Sequence, residues 1–466
     1  MARPKTVFAC TECGAQHPRW LGRCATCGAW SSLVEESSAP APAHRADLFT
    51  GDAAPAKPLR LADVAARETE RLATGIDELD RVLGGGLVPG SVVLLGGEPG
   101  IGKSTLALQL AAGVQKHGPV LYVSAEESPE QVRLRAERLP DVPGEIRILA
   151  TTSVEALAEP WQSGSPALVL VDSIQAVQTE RVASAAGSVA QVRESAALLA
   201  AAAKRSGAAL VLVGHVTKEG TLAGPRVLEH LVDVVLTFEG DRSHPFRLLR
   251  ATKNRFGATH ELGVFTMTES GLEGVANPSE LFLAERQADA PGSCIVPVLE
   301  GSRPMLLEIQ ALVAPAGYGT PRRTCLGIDD GRVALLLAVL ERRTDLALVG
   351  RDVYVNVAGG VRIEEPSADL AVALAIASSR LDAPLPPDVA ACGEVGLGGE
   401  VRRVGRMDAR LREAQRLGFR RVLLPEGLSP SEASGVANGA GVRAIPVADV
   451  AAAVRWLRAN AGSRVA

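Results

Sequence analysis

No lysine follows Lys253 and no histidine follows His260 in this chain of 466 residues. The C-terminal portion therefore lacks an ordinary nitrogen base, which removes Ser-Lys and Ser-His nucleophile chemistry from it. Lysine is scarce throughout, supplying only 7 of the 49 basic residues. Cysteine is also sparse. Seven are too few for a disulfide framework, and four of them crowd into the first thirty residues, leaving Cys294, Cys325 and Cys392 isolated and readable as inert core residues. No uninterrupted apolar stretch approaches the length needed to cross a bilayer, and the N-terminus, MARPKTVFACTECG, has no apolar h-region. A soluble, cytoplasmic protein with no membrane partner is expected. The net charge of -4 makes no general case for nucleic acid, so only local patches can. What remains is a chain that is 47% hydrophobic and long enough for two or three folded domains.

The cysteine crowding has a pattern. Cys10-x-x-Cys13 and Cys24-x-x-Cys27 form two knuckles, with Gly14, Gly22 and Gly28 supplying the turns that aim both thiolates of a pair at one point. Four soft ligands suit tetrahedral zinc, and a segment this short cannot bury a core, so the metal would supply its folding energy. His17 is an alternative ligand or a loop residue. From Glu35 to Pro58 the composition turns to Ala, Pro and Ser without periodicity, which reads as a tether. The expected domains are a zinc finger over 1–33 and a linker over 34–58.

Gly97-Glu98-Pro99-Gly100-Ile101-Gly102-Lys103-Ser104 fits the phosphate-loop pattern at every fixed position. Ser91 to Leu95 before it reads as a buried strand, and Thr105 to Val114 after it as a helix. The loop thus opens a helix, where unpaired N–H groups and the positive dipole end favour the phosphates of ATP. Lys103 would reach the terminal phosphates and Ser104 would hold magnesium, with Thr105 completing the binding stretch. Val120 to Ser124, Ala167 to Asp172 and Ala208 to Gly214 are further apolar runs with helical stretches between them, which predicts an α/β fold with a mainly parallel sheet. Ligands in such folds bind at the carboxyl ends of the strands, where Glu126, Asp172 and His215 fall. Asp172 is suited to magnesium. Glu126 or Glu127 is placed to orient the attacking water, Glu126 being preferred, and His215 could sense the terminal phosphate or serve structure alone.

TGIDELDRVLGGGLVPGSVVLLGGEPGIGKST, the knuckles before it and Lys253-Asn254-Arg255-Phe256-Gly257 after it together resemble the bacterial RadA (Sms) family of DNA-repair proteins, over nearly the whole chain. The resemblance implies a RecA-like P-loop ATPase core over 59–278, a homo-hexameric ring similar to replicative helicases, and DNA-dependent ATP hydrolysis. It also implies a role in recombinational repair and branch migration, with single-stranded and branched DNA as partners and a recombinase filament as a further one. ATP, Mg2+ and Zn2+ are the implied cofactors. Carried over residue by residue, Lys103 and Ser104 contact phosphate, Asp172 is the Walker-B acid and Glu126 the catalytic carboxylate. Lys253 and Arg255 fill the KNRFG motif. In a chain so poor in lysine, Lys253 hints at a specific demand, either reaching a neighbouring subunit's nucleotide or facing DNA. Gln175 to Arg193 and Thr217 to Arg226 are candidate DNA loops without aromatic residues, so any binding there should be backbone-directed and salt-sensitive.

From Ser279 the chain resembles the α+β proteolytic domain of Lon peptidases, giving a last domain over 279–466. Ser367 occupies the nucleophile position and Arg410 aligns with the lysine. A guanidinium stays charged at accessible pH, so the domain is expected to be a scaffold without peptidase activity. Arg402 to Arg421 holds eight arginines against Asp408 and Glu413, with Met407, Leu411 and Ala414 as an apolar stripe. This reads as a solvated basic helix face, a DNA surface or a subunit contact. A nucleotide-switched DNA-binding protein without motor activity is the rival that the sequence leaves open.

Overall fold

The computed structural model describes residues 5–10, 15–26, 28–38, 60, 70–140, 142–215, 227–240, 246–259, 261–287, 289–317, 320–427 and 441–461. The chain divides into two compact units, Met1–Val275 and Ala276–Ala466. Among the described residues no helix is long and apolar enough to cross a membrane.

The N-terminal module is a three-stranded antiparallel sheet in which β1 (Lys5–Cys10) lies between β2 (Gln16–His17) and β3 (Leu33–Ser38). Strand β3 pairs with the full length of β1, from Cys10 opposite Leu33 to Lys5 opposite Ser38. The sheet therefore runs past Leu33 into residues whose composition had suggested the tether. A polar stretch such as EESS makes a strand here because a partner supplies its hydrogen bonds, and composition does not reveal a partner.

The larger sheet of the first unit has nine strands in the order β12-β11-β10-β9-β4-β8-β7-β5-β6. Six are parallel: β4 (Val92–Gly97), β5 (Val120–Ser124), β6 (Arg147–Ala150), β7 (Leu168–Asp172), β8 (Ala209–His215) and β9 (Val234–Glu239). An antiparallel extension follows through β10 (Phe246–Asn254), β11 (Leu262–Thr268) and β12 (Gly271–Gly274). Helices α1 (Asp77–Leu83), α2 (Lys103–Val114), α3 (Pro129–Ala136), α4 (Ala158–Gly164), α5 (Val189–Ser206) and α6 (Val227–Leu231) complete this region. The continuous apolar runs of the central strands are explained by burial on both faces. Val93, Leu95, Leu168, Leu170, Val211 and Val213 enter one core, while Val92, Leu94, Val169, Val171, Leu210 and Leu212 enter the other.

The C-terminal unit opens with α7 (Pro278–Leu283) and carries a mixed seven-stranded sheet in the order β15-β16-β14-β13-β17-β20-β21. Its strands are β13 (Ser293–Glu300), β14 (Arg303–Pro315), β15 (Arg323–Leu326), β16 (Arg351–Val357), β17 (Val389–Ala391), β20 (Arg421–Pro425) and β21 (Arg443–Val447). A separate pair, β18 (Glu394–Val395) and β19 (Val401–Arg402), lies between β17 and β20 in the chain. Helices α8 (Asp330–Arg343), α9 (Asp369–Leu381), α10 (Met407–Arg416) and α11 (Val450–Asn460) complete the unit. Helix α9 is buried from Asp369 through Ser378 and packs on β13 and β14, which makes it the central helix of this unit.

Candidate functional site

The phosphate loop joins the end of β4 to the start of α2, and its glycines are there for space as well as turn. Gly100 and Gly102 have φ of 80° and 116°, and a Cβ on Gly102 would lie 2.7 Å from the Met267 side chain. A Cβ on Gly97 would come within 2.8 Å of the Phe238 carbonyl oxygen. Ile101 is buried and anchors the loop, while Glu98, Pro99 and Gly100 are exposed and Ser104 and Thr105 are half-buried in the first turn of α2. The Lys103 ammonium curls back over the loop and donates to the Gly97 and Glu98 carbonyls, 2.8 Å each. Burial holds this ammonium below the usual lysine range, against the opposing pull of Asp172, Glu126 and Glu98. Neutral carbonyl acceptors on a buried cation at a helix N-terminus fit a site for polyphosphate, and Ser104 with Asp172 offers hard oxygen donors for magnesium.

Both acids stand at neighbouring strand ends, and each is held by a hydroxyl from the other strand. Asp172, the last residue of β7, accepts from the Tyr122 hydroxyl of β5 at 2.7 Å. Burial, and then Asp172 itself, pushes the Tyr122 phenol well above its ordinary range, so the proton stays on the phenol and the phenol donates. Glu126, two residues beyond β5, accepts from the hydroxyl of Ser173, one residue beyond β7. His215 at the end of β8 places Nε2 3.5 Å from the same Glu126 oxygen. Glu127 points elsewhere. Its carboxylate is paired with both terminal nitrogens of Arg135 at 2.5 and 2.6 Å, so of the two adjacent acids Glu126 is the one facing Ser173 and His215. Sequence reasoning missed Tyr122 and Ser173; the available signal for Ser173 was a hydroxyl directly after a strand-end acid.

The structure does not bring Lys253 or Arg255 to the phosphate loop of their own subunit. A register shift between β10 and β9 at Ala251 and Lys253 re-aims the motif. Lys253 Nζ donates to the Glu229 and Val232 carbonyls, at 2.5 and 2.8 Å, capping the end of α6. Burial, with Arg255 beside it, holds this ammonium below the usual range, against Asp233 and Glu229. Arg255 instead forms an ion pair with Asp233 at 3.0 Å, and the other Asp233 oxygen accepts the Val92 N–H at 3.0 Å, the first residue of β4. Asn254 donates to the Val82 and Leu83 carbonyls at the end of α1. KNRFG is thus a junction of two helix ends and the base of the phosphate-loop strand.

In the N-terminal module Cys10 and Cys24 are buried together with Leu33. Each cysteine donates its N–H five residues ahead, Cys10 to Ala15 at 3.0 Å and Cys24 to Ala29 at 2.8 Å, which is the repeated knuckle turn. Cys24 Sγ lies 3.5 Å from His17 Nε2. Cys13 and Cys27 lie outside the described residues, as does the candidate DNA loop Thr217 to Arg226. The other candidate loop is tied down: the Gln191 amide donates to the Thr179, Val182 and Ser184 carbonyls, leaving Arg193 exposed at its end.

In the C-terminal unit Arg410 Nη1 lies 3.1 Å from Ser367 Oγ, so the pairing expected from the alignment is present in space. Ser367 is 1% exposed and Arg410 2%. The guanidinium also grips Glu365 through two nitrogens, 2.7 and 2.6 Å, and the Pro297 carbonyl at 2.8 Å. Burial opposes the charge, but hydrogen bonding to Glu365 prevails and holds Arg410 above its ordinary range, so it cannot accept a proton. Close by, Arg332 clamps Asp369 with two nitrogens. The basic stretch around α10 is more neutralised than its composition suggests. Arg410 is interior, and Arg402, Arg412, Arg416 and Arg421 pair with Glu400, Asp408, Glu413 and Asp388. Met407, Leu411 and Ala414 do form the buried stripe. Cys294 and Cys392 are fully buried and their thiols are pushed up to about 12, as expected of inert residues; Cys325 is half-buried and reaches about 12 through burial and Asp330.

Residues 55–221 match the AAA domain family, residues 8–35 the rubredoxin metal binding domain and residues 343–432 the Lon protease (S16) C-terminal proteolytic domain. The chain is similar to the DNA repair protein RadA of Bacillus subtilis, 49% identical over 98% of this chain and 99% of that protein. It is likewise similar to the DNA repair protein RadA of Pseudomonas aeruginosa, 51% identical over 93% of this chain and 95% of that protein. With a zinc ribbon, a P-loop ATPase core and a Lon-type domain matched in that order, and half of its residues shared from end to end, the chain belongs to the RadA family of DNA repair proteins.

Proposed function

We propose that this chain is a DNA-dependent ATPase of recombinational repair that works in the cytoplasm as a homo-hexameric ring. In this reading it branch-migrates recombination intermediates, engaging single-stranded and branched DNA and a recombinase filament. The observation that carries the reading is the convergence of Lys103, Glu126, Asp172 and His215 at the ends of adjacent parallel strands. Bound MgATP would supply the phosphoanhydride whose hydrolysis drives the work. Toward it Lys103 would exchange its carbonyl acceptors for phosphate oxygens, Ser104 and Asp172 would hold the magnesium, and Glu126 would accept a hydrogen bond from the attacking water. Cys10, Cys13, Cys24 and Cys27 would hold Zn2+, whose binding would supply about 10–16 kcal/mol toward folding the N-terminal module. The C-terminal domain serves as a scaffold without peptidase activity, since Ser367 has a charged guanidinium where a base is required.

Lys253 is the residue we assign across the subunit interface. It rests on backbone carbonyls that a phosphate can replace, whereas Arg255 is committed to Asp233. The test of the whole reading is ATP turnover without DNA, with single-stranded DNA and with branched DNA. Stimulation by DNA, greatest on branched substrate and coupled to strand exchange in a branched-junction assay, is the expected result. Hydrolysis indifferent to DNA, or DNA binding switched by nucleotide with no remodelling, would favour the non-motor alternative.

A further inference from the structure

We propose that Ser173 is a positioning residue for ATP hydrolysis, acting only through Glu126; this rests on the reading of Glu126 as the carboxylate that orients water. Strands β5 and β7 are neighbours in the sheet, with Ser124 opposite Asp172. The Ala125 N–H donates to the Asp172 carbonyl at 2.7 Å, so the pairing continues one residue past the end of β5. Beyond that point the chains part, and Glu126 leaves the sheet with its side chain 44% exposed. A carboxylate this exposed has water as an alternative partner, so a fixed donor is needed to hold one orientation. Ser173 is 0% exposed, and its hydroxyl donates to Glu126 from a position fixed by the buried end of β7. His215 stands beside the same carboxylate oxygen, with Nε2 3.5 Å away.

The arrangement mirrors the bond from Tyr122 to Asp172, with the strands exchanged. Each acid of the site is oriented by a buried hydroxyl from the adjacent strand, so a movement between β5 and β7 alters both acids together. For Glu126 the role is orientation, since the hydroxyl bond fixes where the carboxylate stands. The consequence should appear in the rate of hydrolysis and not in the binding of nucleotide.

The experiment is a double-mutant cycle on the full chain, comparing Ser173→Ala, Glu126→Gln and the double variant by kcat, by Kd for a fluorescent ATP analogue and by melting temperature. Ser173→Ala should lower kcat by roughly 10- to 100-fold, the scale of one hydrogen bond to a charged group, with the analogue's Kd within about twofold. The double variant should be no slower than Glu126→Gln within about twofold, because the hydroxyl has nothing left to orient. Ser173→Thr, which keeps a hydroxyl, should recover part of the loss. A slow Glu126→Gln beside a wild-type kcat in Ser173→Ala overturns the proposal alone. So does a double variant showing the full product of both losses, or a Ser173→Ala whose nucleotide affinity and melting temperature fall with its rate. Wild-type turnover in Glu126→Gln overturns the carboxylate reading and this proposal with it.

Discussion

Each of the two units has a cation close to a serine, and the two cations are held in opposite ways. Lys103 lies on the carbonyls of Gly97 and Glu98, with Ser104 next in the chain. Arg410 lies on the carboxylate of Glu365, with Ser367 beside it. A neutral carbonyl gives up a cation to a phosphate at little cost, because the incoming group carries more charge than the one displaced. A buried bidentate ion pair does not, since separating it leaves two desolvated charges. The first arrangement is poised for a ligand and the second is closed. In the C-terminal unit the closure is doubled by Arg332 and Asp369, so the place where a nucleophile would work is occupied by two ion pairs.

The same truncation at the two cations should therefore give opposite phenotypes. Lys103→Ala should reduce ATP turnover by about 10³-fold while far-UV circular dichroism stays unchanged, because charge at the terminal phosphates is lost and little apolar contact goes with it. Retained turnover would remove the basis of the comparison. Arg410→Ala should instead cost about 3 kcal/mol of stability, measured by urea unfolding, since Glu365 loses its partner; the carboxylate is 23% exposed, which keeps the loss at the lower end for buried pairs. In that variant nucleotide binding should persist. Arg410→Lys sharpens the contrast: no casein digestion is expected even with a lysine restored, because Ser367 remains sealed at 1% exposure.

Lys253 tests whether carbonyl-held cations are in general the available ones. Lys253→Ala and Lys253→Arg should each leave nucleotide affinity within about twofold while hydrolysis or DNA remodelling falls by roughly 10-fold or more, the arginine failing because its donor geometry differs. Partial recovery of turnover on mixing Lys253→Ala with Lys103→Ala subunits would locate the residue across the interface, and no recovery in proven mixed rings would return it to its own subunit. The smallest effect is expected from Tyr122→Phe, which frees Asp172 from its hydroxyl donor. The magnesium concentration for half-maximal activity should rise by a few-fold, about 1 kcal/mol, with the melting temperature nearly unchanged. An unchanged magnesium requirement would show that Asp172 is held well enough by its strand.

The parts legible in the sequence were those set by neighbours along the chain. Val120–Ser124 reads as a strand from five apolar or small residues, and the phosphate loop reads from its own eight positions. Strand-end position pointed to Asp172 and Glu126 as candidates, and the resemblance to Lon peptidases pointed to Ser367 and Arg410, which lie 3.1 Å apart. Spatial adjacency set the rest. That Ser173 meets Glu126 and Tyr122 meets Asp172 follows from β5 lying next to β7, an order that chain sequence does not state. The strand leading into KNRFG was invisible as a strand, since FRLLRATKN alternates imperfectly and gains its place from β9 and β11 on either side. Composition counted Arg410 among eight arginines of a basic stretch, and only its alignment beside Ser367 set it apart from them. Only packing distinguishes an arginine that faces water from one that replaces a core residue.

Asp233 gives the ATPase region a mechanical property. Its carboxylate is shared between Arg255 and the N–H of Val92, so the strand that ends in the phosphate loop is moored at its opposite end to the KNRFG segment. The backbone adds to the mooring, since the Asp233 N–H donates to the Val92 carbonyl at 2.8 Å and the Arg255 N–H to the Asp233 carbonyl at 3.1 Å. A displacement of that segment must either drag the root of β4 with it or part these bonds.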